Sequence, residues 1–93
     1  GLGRFGRAAC ETLRKLGYQV LGTDIDQDLV ALALEDRIVD NAIQLDSTKS
    51  NALRAAGIFE VDTVIVAIGK YVEESIITTL NLKEAGVKFV VAK

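Results

Sequence analysis

The sequence predicts an α/β fold, a Rossmann-like doubly wound parallel sheet, and two observations predict it. The chain opens on the pattern G-x-G-x-x-G at Gly1, Gly3 and Gly6, and an acid, Asp24, ends the next apolar segment. Short apolar segments then alternate with helical patterns, joined by short linkers without proline. A glycine turn followed by an acid at this distance is typical of a βαβ unit that binds a nucleotide.

The glycine turn requires a strand before it, yet the sequence as given begins at Gly1. In a sheet of strand order 3-2-1-4-5, that strand is the central one. We therefore expect that the sequence is a fragment or that its first strand was trimmed, since without it both neighbouring strands have unpaired edges. Residues 1–93 are predicted to form a single domain, because no linker marks a boundary.

The first helix is predicted over residues 3–16, with Gly17 as the residue that ends it. Its apolar residues recur at helical spacing and are expected to face the core: Phe5, Ala9, Leu13 and Leu16. Residues 19–24 follow as a short buried strand.

Asp26 is expected to cap the second helix with its carboxylate. The predicted core residues of that helix are Leu29, Val30, Ala33 and Leu34. A weaker strand lies within residues 37–45, and its centre is expected at Ala42, Ile43 and Leu45. A third helix follows and ends at Gly57, and its predicted N-cap residues are Asp46, Ser47 and Thr48.

The β-branched run at residues 61–67 predicts a strand that is buried on both faces. Residues 68–70 are the expected turn after it. A fourth helix is predicted over residues 71–85, closed by Gly86, and residues 88–92 are the last predicted strand.

The fourth helix is apolar on two sides. Ile76 and Leu80 face one way, whereas Leu82 and Ala85 face another. A helix with two apolar sides suggests a second packing partner, such as another subunit.

Composition excludes several classes of function. The formal net charge of −2 argues against broad nucleic-acid binding, which needs a basic surface. The chain has no histidine, the commonest general base and metal ligand, so no catalytic or metal site is predicted. Its single cysteine, Cys10, fits a small core residue in a reducing compartment better than a reactive thiol. No apolar run is long enough to cross a membrane.

The expected ligand site lies at the carboxyl ends of the strands. The glycine turn presents free N–H groups and the positive end of a helix to a phosphate. Asp24 can accept hydrogen bonds from ribose hydroxyls, and its charge opposes a 2′-phosphate, so NAD, ATP or ADP fits better than NADP. Asp46 and Ser47 are placed to meet adenine. The backbone after the strand predicted at residues 61–67 is expected to approach the ligand at Ala67, Ile68 and Gly69.

Each of these features has a second interpretation that the sequence leaves open. The glycines can serve packing alone, and Asp24 can be a solvated strand end. Asp46 and Ser47 can be plain helix caps. Arg4 is either a solvated residue of the first helical turn or a phosphate ligand through its planar guanidinium. Lys93 can simply end the last strand.

Four segments of the chain together resemble a known family. They are GLGRFG at residues 1–6, VLGTDID at 20–26, VIVAIG at 64–69 and TTLNLKE at 78–84. They resemble the nucleotide-binding half of an RCK domain (also called KTN or TrkA-N), as found in regulatory subunits of Ktr- and Trk-type potassium uptake systems. The resemblance runs over the whole chain. Arg4 and Phe5 inside the glycine turn are more specific to it than the glycines.

The resemblance implies a set of binding residues by matching position. Gly1, Gly3, Arg4 and Gly6 would surround phosphate, Asp24 would hold the ribose, and Asp46 and Ser47 would lie near adenine. The site would be completed by Leu2, Phe5, Ile25, Ala67, Ile68, Gly69 and Lys93.

The resemblance also implies a function. The family binds ATP, ADP or NAD(H) and assembles through dimers into an octameric ring under a membrane subunit that translocates potassium. Exchange of the nucleotide changes the ring's shape and gates transport. The chain is therefore expected to be a cytoplasmic regulatory module, held at the inner face of the membrane by its partner, and not an enzyme.

Three questions remain open at this point. The cofactor domain of a nicotinamide-dependent oxidoreductase is the alternative function, because the fold alone does not exclude it. Which nucleotide is physiological is not evident from the residues. Whether the full protein has a second lobe that binds another effector, as many family members do, is also open.

Overall fold

The computed structural model describes residues 1–68 and 72–92, and the chain divides into two compact units. The first unit is Gly1–Leu45 and the second is Asp46–Lys93. Each contains a strand, a helix and a second strand that pairs in parallel with the first. This alternation confirms the predicted Rossmann-like α/β class, whereas the single-domain prediction stays a prediction.

The first unit contains two helices and two strands in alternation. Helix α1 is Arg4–Lys15, strand β1 is Leu21–Asp24, helix α2 is Gln27–Glu35 and strand β2 is Asn41–Gln44. Strands β1 and β2 are parallel, with Leu21 opposite Asn41 and Asp24 opposite Gln44. The bounds of α1, β1 and β2 lie within the ranges predicted from the sequence.

Both helices of the first unit end in a left-handed residue. Gly17 has a φ of 92° and follows α1 as predicted. Arg37 has a φ of 57° after α2, although it carries a side chain. Its N–H donates to the Leu34 carbonyl at 3.1 Å, and the next N–H donates to the Ala33 carbonyl at 3.2 Å. This pair of bonds is a Schellman motif, which a glycine normally makes without strain.

The N-terminus of α2 follows the prediction closely. The Asp26 carboxylate accepts a hydrogen bond from the Asp28 N–H at 2.8 Å, so Asp26 is the N-cap residue. Val30 and Ala33 are buried, and Leu29 packs against them. Leu34 is exposed, contrary to prediction, because it lies at the edge of the buried stripe near the end of the helix.

The core of the first unit is a cluster of buried apolar residues from α1, α2 and the segments that precede α1, β1 and β2. Its members are Leu2, Cys10, Val20, Val30, Ala33, Ile38 and Val39. Cys10 is therefore the small core residue that the sequence predicted, and burial raises the pKa of its thiol.

The predicted apolar stripe of α1 is partly wrong. Phe5 is 44% exposed and Leu16 is 68% exposed. The buried residues of the helix are Gly6 and Cys10, with Leu13 packed against the core. The prediction selected the large apolar residues Phe5 and Leu16. The helix instead buries the small residues Gly6 and Cys10, which let its backbone approach the core.

The described residues of the second unit form two α-helices, a short 3₁₀ helix and two strands. Helix α3 is Ser50–Ala55, and the 3₁₀ helix is Ile58–Glu60. Strand β3 is Thr63–Val66, helix α4 is Val72–Glu84 and strand β4 is Phe89–Ala92. Strands β3 and β4 are parallel and in register from Thr63 opposite Phe89 to Val66 opposite Ala92.

The helix ends of this unit agree with the prediction. Gly57 and Gly86 have positive φ values of 76° and 93° after α3 and α4. The turn predicted at 68–70 extends into Gly69 and Lys70, which lie outside the described residues, as do Tyr71 and Lys93. No helix in the described part of the chain is long and apolar enough to cross a bilayer.

Strand β3 is less buried than predicted. Val66 is buried, but Val64 and Ile65 are half-buried and Thr63 is exposed. The prediction of burial on both faces is therefore wrong. β-Branched residues favour strands at any depth, so their run located the strand without determining its burial.

Helix α4 has the two sides that its sequence predicted. Leu82 is fully buried, whereas Ile76 and Leu80 are more than half exposed. Ala85 is exposed, so it does not extend the buried side as expected. Thr78 is buried beside Leu82 at helical spacing.

Candidate functional site

The glycine turn leads directly into α1. Gly3 is the N-cap residue, with φ −72° and ψ −165°, and the Arg7 N–H donates to its carbonyl at 2.8 Å. Within the described residues, no side chain caps this terminus, and its first turn has no acid. No acid of the first turn therefore offsets the positive end of the helix dipole, which favours an anion at this terminus.

Gly3 has no packing reason to be glycine. A Cβ atom placed on it meets no heavy atom of the described residues within 4 Å, apart from its chain neighbours. Its φ is negative, so its backbone does not require glycine either. Packing alone, the alternative interpretation of this glycine, is thus not supported. An external group that approaches the backbone would account for it.

Gly22, in the middle of β1, is a glycine of the opposite kind. A Cβ on Gly22 would lie 2.9 Å from Leu2 Cδ2 and 3.0 Å from Val39 Cγ1. Both partners belong to the buried core. Gly22 is therefore required by packing. Gly6 is buried in α1.

Asp24 is joined to the glycine turn. Its Oδ2 accepts a hydrogen bond from the Leu2 N–H at 2.7 Å, and its Oδ1 accepts one from the Asp26 N–H at 2.8 Å. Asp24 is thus no freely solvated strand end. A carboxylate has about four acceptor positions, so two bonds leave capacity for ribose hydroxyls.

Three other predicted residues of the first unit lie at its surface, whereas the side chain of Leu2 does not. Arg4 is exposed, as are Phe5 and Ile25. The Ile25 carbonyl accepts a hydrogen bond from Gln44 Nε2 at 3.0 Å, which joins the ends of β1 and β2. Leu2 contributes its backbone N–H to the turn, while its side chain is buried in the core.

In the second unit, Asp46 forms a local turn and does not cap a helix. Its Oδ1 accepts from the Thr48 N–H at 3.0 Å and from the Thr48 hydroxyl at 2.6 Å. Helix α3 begins at Ser50, with Lys49 as an N-cap residue that makes no side-chain cap bond. The prediction that residues 46–48 cap this helix is therefore wrong. Asp and Thr favour turns for the same reason that they favour caps.

The two bonds from Thr48 affect the acidity of Asp46. They lower the pKa of the Asp46 carboxyl, because both stabilise its ionised form. The hydroxyl makes the larger contribution and the backbone N–H the next. The carboxylate is therefore ionised throughout the neutral range and is held in one orientation.

The segment of residues 46–48 is also tied to α4. The Ser47 hydroxyl lies 2.9 Å from the Thr78 hydroxyl, and Asn81 Nδ2 donates to the Thr48 carbonyl at 3.2 Å. Thr78 and Asn81 were not predicted from the sequence as residues of the site. The available signal was a pair of polar residues, three apart, on the side of the helix that also carries Leu82.

The remaining predicted residues follow β3 or end the chain. Ala67 and Ile68 are half-buried after that strand. Gly69 and Lys93 lie outside the described residues, so their predicted roles stay predictions. Within residues 1–68 and 72–92, no cluster of His, Cys, Asp or Glu is arranged to hold a metal ion.

Comparison with known proteins agrees with this geometry. A family model, the TrkA-N domain, matches residues 1–93. The chain is 43% identical over its whole length to Ktr system potassium uptake protein C of Bacillus subtilis (strain 168), covering 41% of that protein. It is equally 43% identical over its whole length to Ktr system potassium uptake protein A of Vibrio alginolyticus, again covering 41%.

A third relative is Ktr system potassium uptake protein A of Bacillus subtilis (strain 168). It is 39% identical over 84 residues, which are 90% of this chain and 37% of the relative. The chain thus spans about two fifths of the length of these curated relatives.

Proposed function

The chain belongs to the TrkA-N domain family, and from that premise we propose that it is the nucleotide-sensing part of a regulatory protein in a potassium uptake system. The names of its relatives, Ktr system potassium uptake proteins, support the potassium system. The whole protein would then regulate a membrane subunit that translocates the ion.

The proposed ligand is an adenine nucleotide: ATP, ADP or NAD(H). The observation that carries the proposal is the junction of the glycine turn with Asp24, through the Leu2 N–H at 2.7 Å. It sets an acceptor for ribose hydroxyls beside backbone donors suited to phosphate. The open space at Gly3 supports the close approach of such a ligand. The negative charge of Asp24 disfavours NADP.

Individual residues receive proposed roles from this arrangement. Gly1, Gly3 and Gly6 would let the backbone and the α1 terminus meet phosphate, and the exposed Arg4 would add a planar cation. Asp46 and Ser47 would meet the adenine base. The pocket would be completed by Leu2, Phe5, Ile25, Ala67, Ile68, Gly69 and Lys93.

Regulation would proceed by a shift between two arrangements of the assembled protein. A nucleotide changes such an equilibrium only by the difference between its affinities for the two arrangements. Two nucleotides that differ in phosphate number or redox group would therefore bias transport differently. We place this assembly, a dimer that builds an octameric ring, in the cytoplasm against its membrane partner. No residue is assigned a catalytic role.

The test uses the full-length protein that contains this chain. Titration calorimetry with ATP, ADP, NADH and NADPH should show binding of the first three nucleotides and much weaker binding of NADPH. Light scattering and small-angle scattering should then differ between the ATP and ADP forms. If no adenine nucleotide binds, the sensing function is refuted. If ATP and ADP give equal mass and shape, only the switching step is refuted.

A further inference from the structure

We propose that Thr78 and Asn81 of α4 are positioning residues for the nucleotide base. They hold the segment of residues 46–48 in place, so that occupation of the site and the placement of α4 are coupled. The inference rests on the proposed function, because it concerns the segment assigned there to adenine. It assigns a role to residues that the sequence did not single out.

The first step is the burial of Thr78. Only 4% of this residue is exposed, and Leu82, four residues further along the same helix, is fully buried. A buried hydroxyl without a partner is unfavourable, and the partner here is the Ser47 hydroxyl at 2.9 Å. Moving α4 away from Ser47 would therefore leave a buried polar group unsatisfied.

The second step is the contact one turn further along the same helix. Asn81 follows Thr78 by three residues, which places it on the same side of α4. Its Nδ2 donates to the Thr48 carbonyl at 3.2 Å. One side of one helix thus bonds two successive residues of the segment. Two bonds restrict both its distance from α4 and its orientation.

Thr48 extends this restraint to the carboxylate of Asp46. Thr48 donates to Asp46 Oδ1 from both its N–H and its hydroxyl. Asn81 holds Thr48, and Thr48 holds the carboxylate, so the orientation of Asp46 depends on α4. Apolar residues at positions 78 and 81 would fill the space but would not specify these directions, which hydrogen bonds do.

The experiment compares base discrimination among variants of the full-length protein. The test variants are Thr78→Val, which exchanges the hydroxyl for a methyl group at nearly equal size, and Asn81→Ala. One control is Thr78→Ser, which keeps the hydroxyl. The other is Thr79→Val on the same helix, because the Thr79 hydroxyl bonds the Ser75 carbonyl of α4 itself at 2.8 Å. Calorimetry gives the affinities for ATP and GTP.

We expect Thr78→Val and Asn81→Ala each to lower the ATP affinity by about five- to tenfold, the effect of one lost hydrogen bond. The ratio of ATP to GTP affinity should fall by a similar factor. Both controls should stay within about twofold of the unsubstituted protein. Amide hydrogen exchange at residues 47–49 should be slowed by ATP in the controls and much less in the two test variants.

Several outcomes would overturn the proposal. One is a lower melting temperature in both test variants while the ratio of ATP affinity to GTP affinity stays unchanged. Thr78 and Asn81 would then contribute to stability alone. Equal affinity of the unsubstituted protein for ATP and GTP would also overturn the proposal, since the segment would not read the base. In both cases nucleotide sensing itself would stand. Absence of any nucleotide binding by the unsubstituted protein would overturn both proposals together. If Thr78→Val does not fold, Asn81→Ala decides alone.

Discussion

Replacing Gly3 and Gly22 by alanine in turn should separate binding from folding. At Gly22 the new methyl group would lie 2.9 Å from Leu2 Cδ2 and 3.0 Å from Val39 Cγ1. Ordinary carbon contacts are about 3.5–4.0 Å, so the neighbours must move by roughly 0.5–1 Å. Both are core residues, with 1% and 5% of their surface exposed, and have little room to do so.

The expected cost of Gly22→Ala is about 1–3 kcal/mol of unfolding free energy, as for other overpacked cores. Each kcal/mol lowers the melting temperature of a domain this small by about 4–8 °C. Gly3→Ala should change stability by less than about 0.5 kcal/mol, because its Cβ meets open space and its φ already suits alanine. It should nevertheless weaken ATP binding by at least about tenfold, since the methyl group would stand where a phosphate approaches.

The assays are urea denaturation for stability and titration calorimetry for ATP, on the same preparations of both variants. Unchanged ATP affinity in Gly3→Ala would refute the assignment of the glycine turn to phosphate. A stability loss in Gly3→Ala as large as that in Gly22→Ala would show that packing requires both glycines. Normal stability in Gly22→Ala would mean that the core adapts more than its geometry implies.

Three further substitutions test other features of the chain. Arg37→Gly should raise the unfolding free energy by about 1 kcal/mol, because glycine adopts the left-handed conformation of this position without steric strain. Arg37→Ala keeps the strain and should give no such increase. Equal denaturation midpoints for the two variants would contradict this explanation. Thr48→Val should raise the pKa of Asp46 toward its usual range in an NMR titration, because the hydroxyl bond is lost. The ionised Asp46 stabilises the fold at pH values above its unfolded-state pKa, and this stabilisation is lost as the pH falls through the lower folded-state pKa. The contribution of Asp46 to the unfolding free energy should therefore be smaller in the variant. Asp24→Ala should weaken binding of every adenine nucleotide by roughly 1–3 kcal/mol in calorimetry. The control Asp36→Ala removes a surface ion pair with Arg7 and should leave nucleotide binding unchanged. Equal losses of affinity in both variants would argue against a ribose contact of Asp24.

Local signals in the sequence predicted most of the fold. Gly17, Gly57 and Gly86 were recognisable as helix ends because the left-handed conformation favours glycine at any depth in a fold. Asp26 was recognisable as a cap because its bond to Asp28 spans two residues. Such features depend on neighbours in the chain, which the sequence displays directly.

Features that depend on distant residues were predicted less well. The bonds of Thr78 and Asn81 to the segment at 46–48 join positions 31 and 33 residues apart. The polar pair on α4 does not by itself indicate which distant residues are its partners. Residues Asp46 to Thr48 were assigned to a cap because the same side chains suit caps and turns. The left-handed Arg37 was not foreseen, because its conformation is imposed by the helix end and not favoured by its side chain.

The bond between Leu2 and Asp24 has a consequence for how the glycine turn opens. It joins residues 22 positions apart, so the turn is held by a strand end as well as by the local bond from the Arg7 N–H to the Gly3 carbonyl. A local fluctuation that frees the Leu2 amide also frees Oδ2 of Asp24, and these two groups should exchange between closed and open forms as one cooperative unit, while Oδ1 keeps its bond to the Asp26 N–H. A nucleotide that binds only the closed form, present at a hundred times its dissociation constant, would stabilise that form by about 2.7 kcal/mol. The turn and the end of β1 would then become protected from solvent together.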